Sequence, residues 1–275
     1  MVACGLLCQH ENSFFHGIFE NNLGGYGLVL GFRLESWAAM APGLESREDW
    51  KQWLKHPVAI KDQFGKIPLK SISAILRRRL STLGRCAIGT AMPLVEEVDI
   101  IPSIFASRHG DTELTISLLS SMGRDEPMSP TSFSLAVHNA VSGLFTIARK
   151  DTSEVTSIAA MEGLTLQTFF EAIGQLESSD KVLCVIYDIP LPDFYQSHCA
   201  DISNPFPYAI AMIISNLEGT LYGLEPVGQE TQGNVALRGP FDSEPLSLIG
   251  LLAGTYDNTE LTQNGYIWRI AKVEN

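Results

Sequence analysis

The sequence is poor in cysteine, short of positive charge and without a long apolar run, and each deficit narrows what it can be. Five cysteines, at positions 4, 8, 86, 184 and 199, are too few and too scattered to frame 275 residues with disulfides. A reducing, cytoplasmic setting is expected. No apolar stretch approaches the roughly 18 residues of a membrane-spanning helix, so no membrane span is expected. Nineteen Lys and Arg against 31 Asp and Glu leave a net charge of −12, which argues against general nucleic-acid binding through phosphates. Several catalytic signatures are also missing. There is no G-x-S-x-G elbow, no phosphate-binding loop and no H-E-x-x-H helix. Gly25-x-Gly27-x-x-Leu30 lacks its third glycine and precedes the first expected strand, so it is not a dinucleotide fingerprint. Cys4, Cys8 and His10 have no second ligand pair, and no metal site is expected.

What is present is a globular chain, 45% hydrophobic and 18% charged, with an uneven charge distribution. Residues 1–32 carry two acids and no Lys or Arg. Residues 33–85 carry eleven Lys and Arg against five acids, and residues 86–275 carry eight against twenty-four. One basic segment in an acidic protein can attract an acidic partner locally, and it can equally be a set of ordinary solvated faces.

Alternation of strands and helices argues for a layered α/β fold. Leu28 to Leu34 reads as the first strand, with residues 1–28 as an N-terminal extension outside the main fold. Ser46 is a candidate N-cap, with Asp49 three residues on, ahead of Trp50 and Trp53. Ile72, Ile75, Leu76, Leu80, Leu83 and Ala87 recur at helical spacing, and Arg77, Arg78 and Arg79 fan out over that helix. Val98 to Ala106 reads as a buried strand broken by Pro102. Leu114, Leu118, Leu119 and Met122 mark a further helix. Phe133, Val137, Val141, Leu144 and Phe145 mark another, with His138 and Asn139 inside it. Leu166 to Leu176 is an amphipathic helix. Val182 to Tyr187 is a continuous apolar run suited to a strand covered on both faces. Beyond residue 195 prolines interrupt shorter pieces. Tyr208 to Ile214 is a strand or a buried helix, residues 226–240 a loop, Leu246 to Leu252 a short helix and Tyr266 to Val273 a final strand.

The most reactive-looking cluster is Arg108, His109 and Asp111, in a polar loop after an expected strand, where open α/β sheets place their crevices. His109 with Asp111 could act as an oriented base, or the loop could be held by hydrogen bonds alone. Cys86 and Cys184 sit among apolar residues and are expected to be inert.

Several segments together resemble one family. They are Leu34-Glu-Ser-Trp-Ala-Ala-Met-Ala-Pro-Gly-Leu44, the arginines from Arg77, Phe105-Ala-Ser-Arg-His-Gly110 and Ser129-Pro-Thr-Ser-Phe-Ser-Leu-Ala-Val-His-Asn139, with Trp268-Arg269 near the end. They resemble the short β-ketoacyl-synthase-like proteins, ketosynthase amino-terminal domains or chain-length-factor-like subunits of aryl-polyene and related type II polyketide or fatty-acid-like pathways. The resemblance implies a thiolase-like, layered α-β-α-β-α fold: one complete half over residues 29–195, then a truncated or degenerate second half over residues 196–275.

It also implies where a nucleophilic cysteine would stand. The matching stretch is Thr156-Ser-Ile-Ala-Ala-Met-Glu-Gly163, which puts Ile158, or Ala160 in a register two residues later, at the cysteine position. No cysteine lies between Cys86 and Cys184, so neither register offers a nucleophile. The family's two decarboxylating histidines come from the second half, where this chain has only His198. The reading that follows is a silent subunit pairing with a full-length ketosynthase. Ile158, Met161 and Leu164, with His138 and Asn139, would lie at an acyl tunnel or interface. Arg77, Arg78, Arg79 and Arg85, then Lys51, Lys55 and Lys61, would dock an acidic acyl carrier protein. No cofactor is implied beyond the phosphopantetheine carried by that protein. Two alternatives remain: an independent acyl-thioester hydrolase or transferase using His109 and Asp111, and a homodimeric module binding a carrier protein or acyl chain.

Overall fold

A computed structural model describes residues 16–20 and 26–273, apart from 68, 99, 194, 196–203, 205 and 230–242. The elements in chain order are β1 (His16–Glu20), β2 (Tyr26–Met40), α1 (Arg47–Lys55), α2 (Ala74–Arg77), α3 (Thr82–Ala91), β3 (Ser103–Ala106), α4 (Thr112–Gly123), α5 (Pro130–Leu135), α6 (Ala140–Arg149), β4 (Val155–Ile158), α7 (Leu164–Gln175), β5 (Lys181–Asp188), β6 (Tyr208–Ser215), β7 (Thr220–Gln229), α8 (Glu244–Leu252), β8 (Asn258–Gln263) and β9 (Tyr266–Lys272).

All the strands join one nine-stranded sheet, ordered β4-β3-β5-β6-β2-β7-β9-β8, with β1 paired to the start of β2. Strands β3, β4 and β5 are parallel, and every other pairing is antiparallel. The apolar run at 182–187 is the middle of β5, buried on both faces. Side chains along a strand alternate between faces, so Val182, Cys184 and Ile186 join one core while Leu183, Val185 and Tyr187 join the other. The first core is closed by α1, α7 and α8, and the second by α3 and α6. The chain is therefore helix, sheet, helix: one half of the layered thiolase-like ketosynthase fold. Tyr208 to Ser215 is a strand, and β6 to β9 all come from the part of the chain after residue 195.

Local chemistry explains the details. Ser46 and Asp49 form a capping box at α1, and the fully buried Trp50 donates its indole N–H to the Ala39 carbonyl at 2.9 Å. Strand β2 is longer than expected because it continues through a bulge between Leu34 and Ser36. The extra residue changes which side chains face the core, from Phe32 and Leu34 before it to Trp37 and Ala39 after it. Phe32 then stacks on Phe169 of α7 with ring centroids 4.7 Å apart. Ala209 and Ala211 of β6 are small, and Ala87 and Ala91 on α3 are also small, so helix and sheet approach closely.

Two expected helices are each split. The apolar spacing from Ile72 to Ala87 runs across α2 and α3, because Ser73 and Ser81 each accept from an amide three residues on and start separate helices. The spacing from Phe133 to Phe145 runs across α5 and α6, so His138 and Asn139 lie in the break and not inside a helix. The strand expected over 98–106 is confined to β3, beyond Pro102. The loop expected over 226–240 begins later, since β7 reaches Gln229, and residues 230–242 lie outside the described residues.

Candidate functional site

Strands β3, β4 and β5 end together. Ala106 is paired with Ile158 on one side and Ile186 on the other, so the loops after these strands lie together at the carboxyl ends of the three strands. The carboxylate of Asp188, 1% exposed, organises the first loop. It accepts from the Ser107 hydroxyl at 2.8 Å, the Arg108 amide at 3.0 Å and the His109 amide at 3.4 Å. Ser107 Oγ in turn accepts from the Gly110 amide at 2.9 Å, where a φ of +61° suits glycine. His138 Nε2 lies 2.8 Å from the Ser107 carbonyl. A carbonyl only accepts, so that ring nitrogen carries the proton. Burial pushes the Asp188 carboxyl above its ordinary range, against the opposing pull of the Arg108 amide, the Ser107 hydroxyl and the nearby cations.

Arg108 extends from this loop to Glu244 at the start of α8, 3.4 Å away. The same Glu244 accepts from the Thr165 amide in the first turn of α7 at 2.8 Å. Asp111 accepts from the Leu114 amide as the N-cap of α4, so its carboxylate is already engaged in starting a helix.

The second loop joins β4 to α7. Ile158 is the last residue of β4, half-buried against the core that α7 closes, and Ala160 packs there too. Met161 is 50% exposed, whereas Leu164 is buried. The hydroxyls nearby are occupied. Ser157 bonds Ser142 at 3.0 Å, and Thr156 bonds both Glu171 and Gln175. Strand β4 is an edge strand with no outer partner among the described residues. The elements leading to it carry exposed apolar side chains: Leu119, Met122, Phe133, Val137 and Ile147. Helix α4 buries none of its residues. Asn139 is exposed and gives α6 no side-chain cap.

The arginines of the basic segment divide into two kinds. Arg77 donates to the Leu69 carbonyl, and Arg85 donates to the Leu80 and Arg77 carbonyls. Arg78 and Arg79 are exposed, as are Lys51, Lys55 and Lys61. Cys86 and Cys184 are fully buried, and burial raises both thiols above their ordinary range. Among the described residues no group of His, Cys, Asp and Glu is arranged to hold a metal, and no helix is long and apolar enough to cross a membrane. Cys4, Cys8, His10 and His198 lie outside the described residues.

Arg108, His109 and Asp111 lie in a loop after a strand, where the sequence put them, but sequence reasoning did not single out Ser107, Asp188, Thr165 and Glu244. Asp188 was visible as a charge closing a continuous apolar run. Glu244 had no comparable local signal.

No curated protein sequence matches this chain. Among solved structures, it superposes on a chain of the complex of the ketosynthase ApeO with its chain length factor ApeC from Xenorhabdus doucetiae. The TM-score is 0.74 at 24% identity, covering 88% of this chain and 99% of that one. The ishigamide ketosynthase/chain length factor gives 0.57 at 11% identity, covering 82% and 74%. A type II polyketide synthase ketosynthase bound to a hexaketide, in complex with its acyl-carrier protein, gives 0.50 at 12% identity, covering 67% and 62%. Residues 50–263 match the family described as beta-ketoacyl synthase, N-terminal domain, and the chain belongs to that family.

Proposed function

We propose that this chain is a catalytically silent, chain-length-factor-like subunit that pairs with a full ketosynthase. The product would be a polyketide or fatty-acid-like chain built on a carrier protein, an aryl polyene being the instance that the sequence resemblance suggests. The observation that carries this reading is the connection from β4 to α7. Its residues, Ala159, Ala160, Met161, Glu162 and Gly163, include no thiol and no hydroxyl. Condensation by a ketosynthase begins with acyl transfer from a carrier thioester to a thiolate. The side chain in either register considered, Ile158 at the end of β4 or Ala160 in the connection, is hydrocarbon and cannot accept the acyl group.

The pairing face in this proposal is the edge strand β4 with the exposed apolar flank of α4, α5 and α6. Exposed apolar side chains on three successive helices fit a partner interface better than solvent. The shared fold with a chain of a solved ketosynthase–chain length factor complex supports a ketosynthase as the partner. Met161 would meet the growing chain, with Ile158 and Leu164 behind it, and the added side-chain volume would exclude further units. His138 and Asn139 would border that face. An acidic carrier protein would dock on Arg78 and Arg79 with Lys51, Lys55 and Lys61, steered by charge. Arg77 and Arg85 would shape that patch while holding the α2–α3 turn. The phosphopantetheine arm would arrive on the carrier, so the subunit needs no cofactor of its own, and it would work in the cytoplasm.

The test is co-purification. Co-expressed with the full-length ketosynthase of its pathway, the tagged chain should bring down that subunit in one-to-one ratio. Phe133 is 61% exposed, so Phe133→Asp should leave the isolated chain folded. It should also weaken the complex by roughly tenfold or more, as loss of a buried aromatic anchor does. Unchanged association would remove this face from the proposal, and no association of the unaltered chain would remove the pairing.

A further inference from the structure

Helix α7 begins without help from its own sequence. Its N-cap is Gly163, at φ +62°, which offers no side-chain acceptor. The first amides of a helix have no partner within it. Here the Thr165 amide, on a residue 2% exposed, is satisfied by Glu244 Oε1 at 2.8 Å from 79 residues away. The other oxygen, Oε2, faces Arg108 Nη2 at 3.4 Å, and the two side chains keep only 13% and 17% of their exposure. Glu244 also stands in the first turn of α8, whose N-cap Ser243 makes no side-chain capping bond. One carboxylate therefore lies at the amino ends of two helices and against a guanidinium. Each of these attracts negative charge.

A second contact closes on the same stretch from the same part of the chain. The Asn264 amide in the β8–β9 turn donates to Glu162 at 3.3 Å. Gln263 packs over Gly163 so closely that a Cβ there would come within 2.9 Å of its side chain.

We infer that Glu244 is a built-in ligand: it fills a carboxylate-binding position made by the Thr165 amide and Arg108, and so latches the segment from α8 to β9 onto the head of α7. This does not depend on the pairing proposed above. It predicts a property that an ordinary surface ion pair lacks. With the internal carboxylate removed, the position should accept a small carboxylate from solution.

The experiment uses the full chain. Glu244→Ala should melt below the unaltered protein in sodium chloride. At matched ionic strength, sodium formate should raise the variant's melting temperature and leave the unaltered protein unchanged, because a ligand that binds only the folded state stabilises it. In Glu244→Ala/Arg108→Ala the formate effect should vanish. An equal response to formate in the unaltered protein and in Glu244→Ala overturns the inference, as does a formate effect that survives loss of Arg108. If Glu244→Ala does not fold, the near-isosteric Glu244→Gln decides the matter by hydrogen exchange. The amides of the first turn of α7 should exchange roughly tenfold faster once the charge-assisted bond becomes neutral. Unchanged protection there would also overturn it.

Discussion

Asp188 is the group on which the candidate site is built, and its removal gives the sharpest structural prediction. Asp188→Ala deletes the acceptor for the Ser107 hydroxyl and the Arg108 amide, at 2.8 and 3.0 Å, and for the longer contact to the His109 amide. Ser107 and Asp188 are both buried, so water has little room to replace the carboxylate. An orphaned buried donor costs about 1–3 kcal/mol, and two well-made bonds are lost, which gives about 2–6 kcal/mol. The variant no longer buries a carboxylate, which offsets part of that cost. A net loss of about 3 kcal/mol is expected, and at about 2–4 °C per kcal/mol for a chain of this size the melting temperature should fall by about 6–12 °C. Urea denaturation and thermal melting measure both quantities. A loss below about 1 kcal/mol would refute the reasoning, because the loop would then be held by something other than Asp188.

The pH dependence supplies a second arm of that test. Burial raises the folded-state pKa of Asp188 above its ordinary value of 3.8, so the native state binds this proton more tightly than the unfolded chain does. The stabilisation that follows is complete below 3.8 and is lost as pH rises through the raised folded value. Asp188→Asn has no such proton. The stability difference, unaltered minus variant, should therefore shrink on going from acid toward neutral pH. A difference that grows over that range would contradict the account.

Three further variants probe the frame and the surface. Gly219→Ala should destabilise by about 3 kcal/mol or more, read by thermal melting, because strained backbone and a clash with the main chain of β2 combine. At φ +108° the added Cβ would sit 2.2 Å from the Leu34 carbonyl oxygen beside the β2 bulge, and a neutral result would mean the bulge is not as described. Arg78→Glu/Arg79→Glu should leave the melting temperature unchanged and weaken carrier-protein binding by roughly tenfold at low ionic strength, with the loss fading as salt rises. A salt-independent loss would rule out electrostatic docking, whereas Arg85→Ala should cost stability through the carbonyls it holds.

What the sequence revealed was local, and what it concealed was distant. The capping box at Ser46 and Asp49 joins residues three apart, and the apolar run of β5 is continuous, so both were legible. The breaks before α3 and α6 were not, because apolar spacing carries on across them. Only the hydroxyl of Ser81, accepting from Gly84, reveals the first break, and serines are too common for that to stand out. The family was legible from ordered motifs, and the absence of any cysteine between Cys86 and Cys184 from a simple search. The site's framework was hidden for another reason. Asp188 meets Arg108 across 80 positions, and Glu244 meets it across 136, so no spacing rule connects them.

The central claim is that this chain contributes shape and not chemistry to a condensing complex, and reconstituted condensation tests it most directly. The purified chain, given an acyl-loaded carrier protein and a malonyl-loaded one, should form no carbon–carbon bond and take up no acyl group or cerulenin-type label. Adding the full ketosynthase should yield elongated product only when both chains are present. Elongation or covalent acylation by the isolated chain would contradict the account.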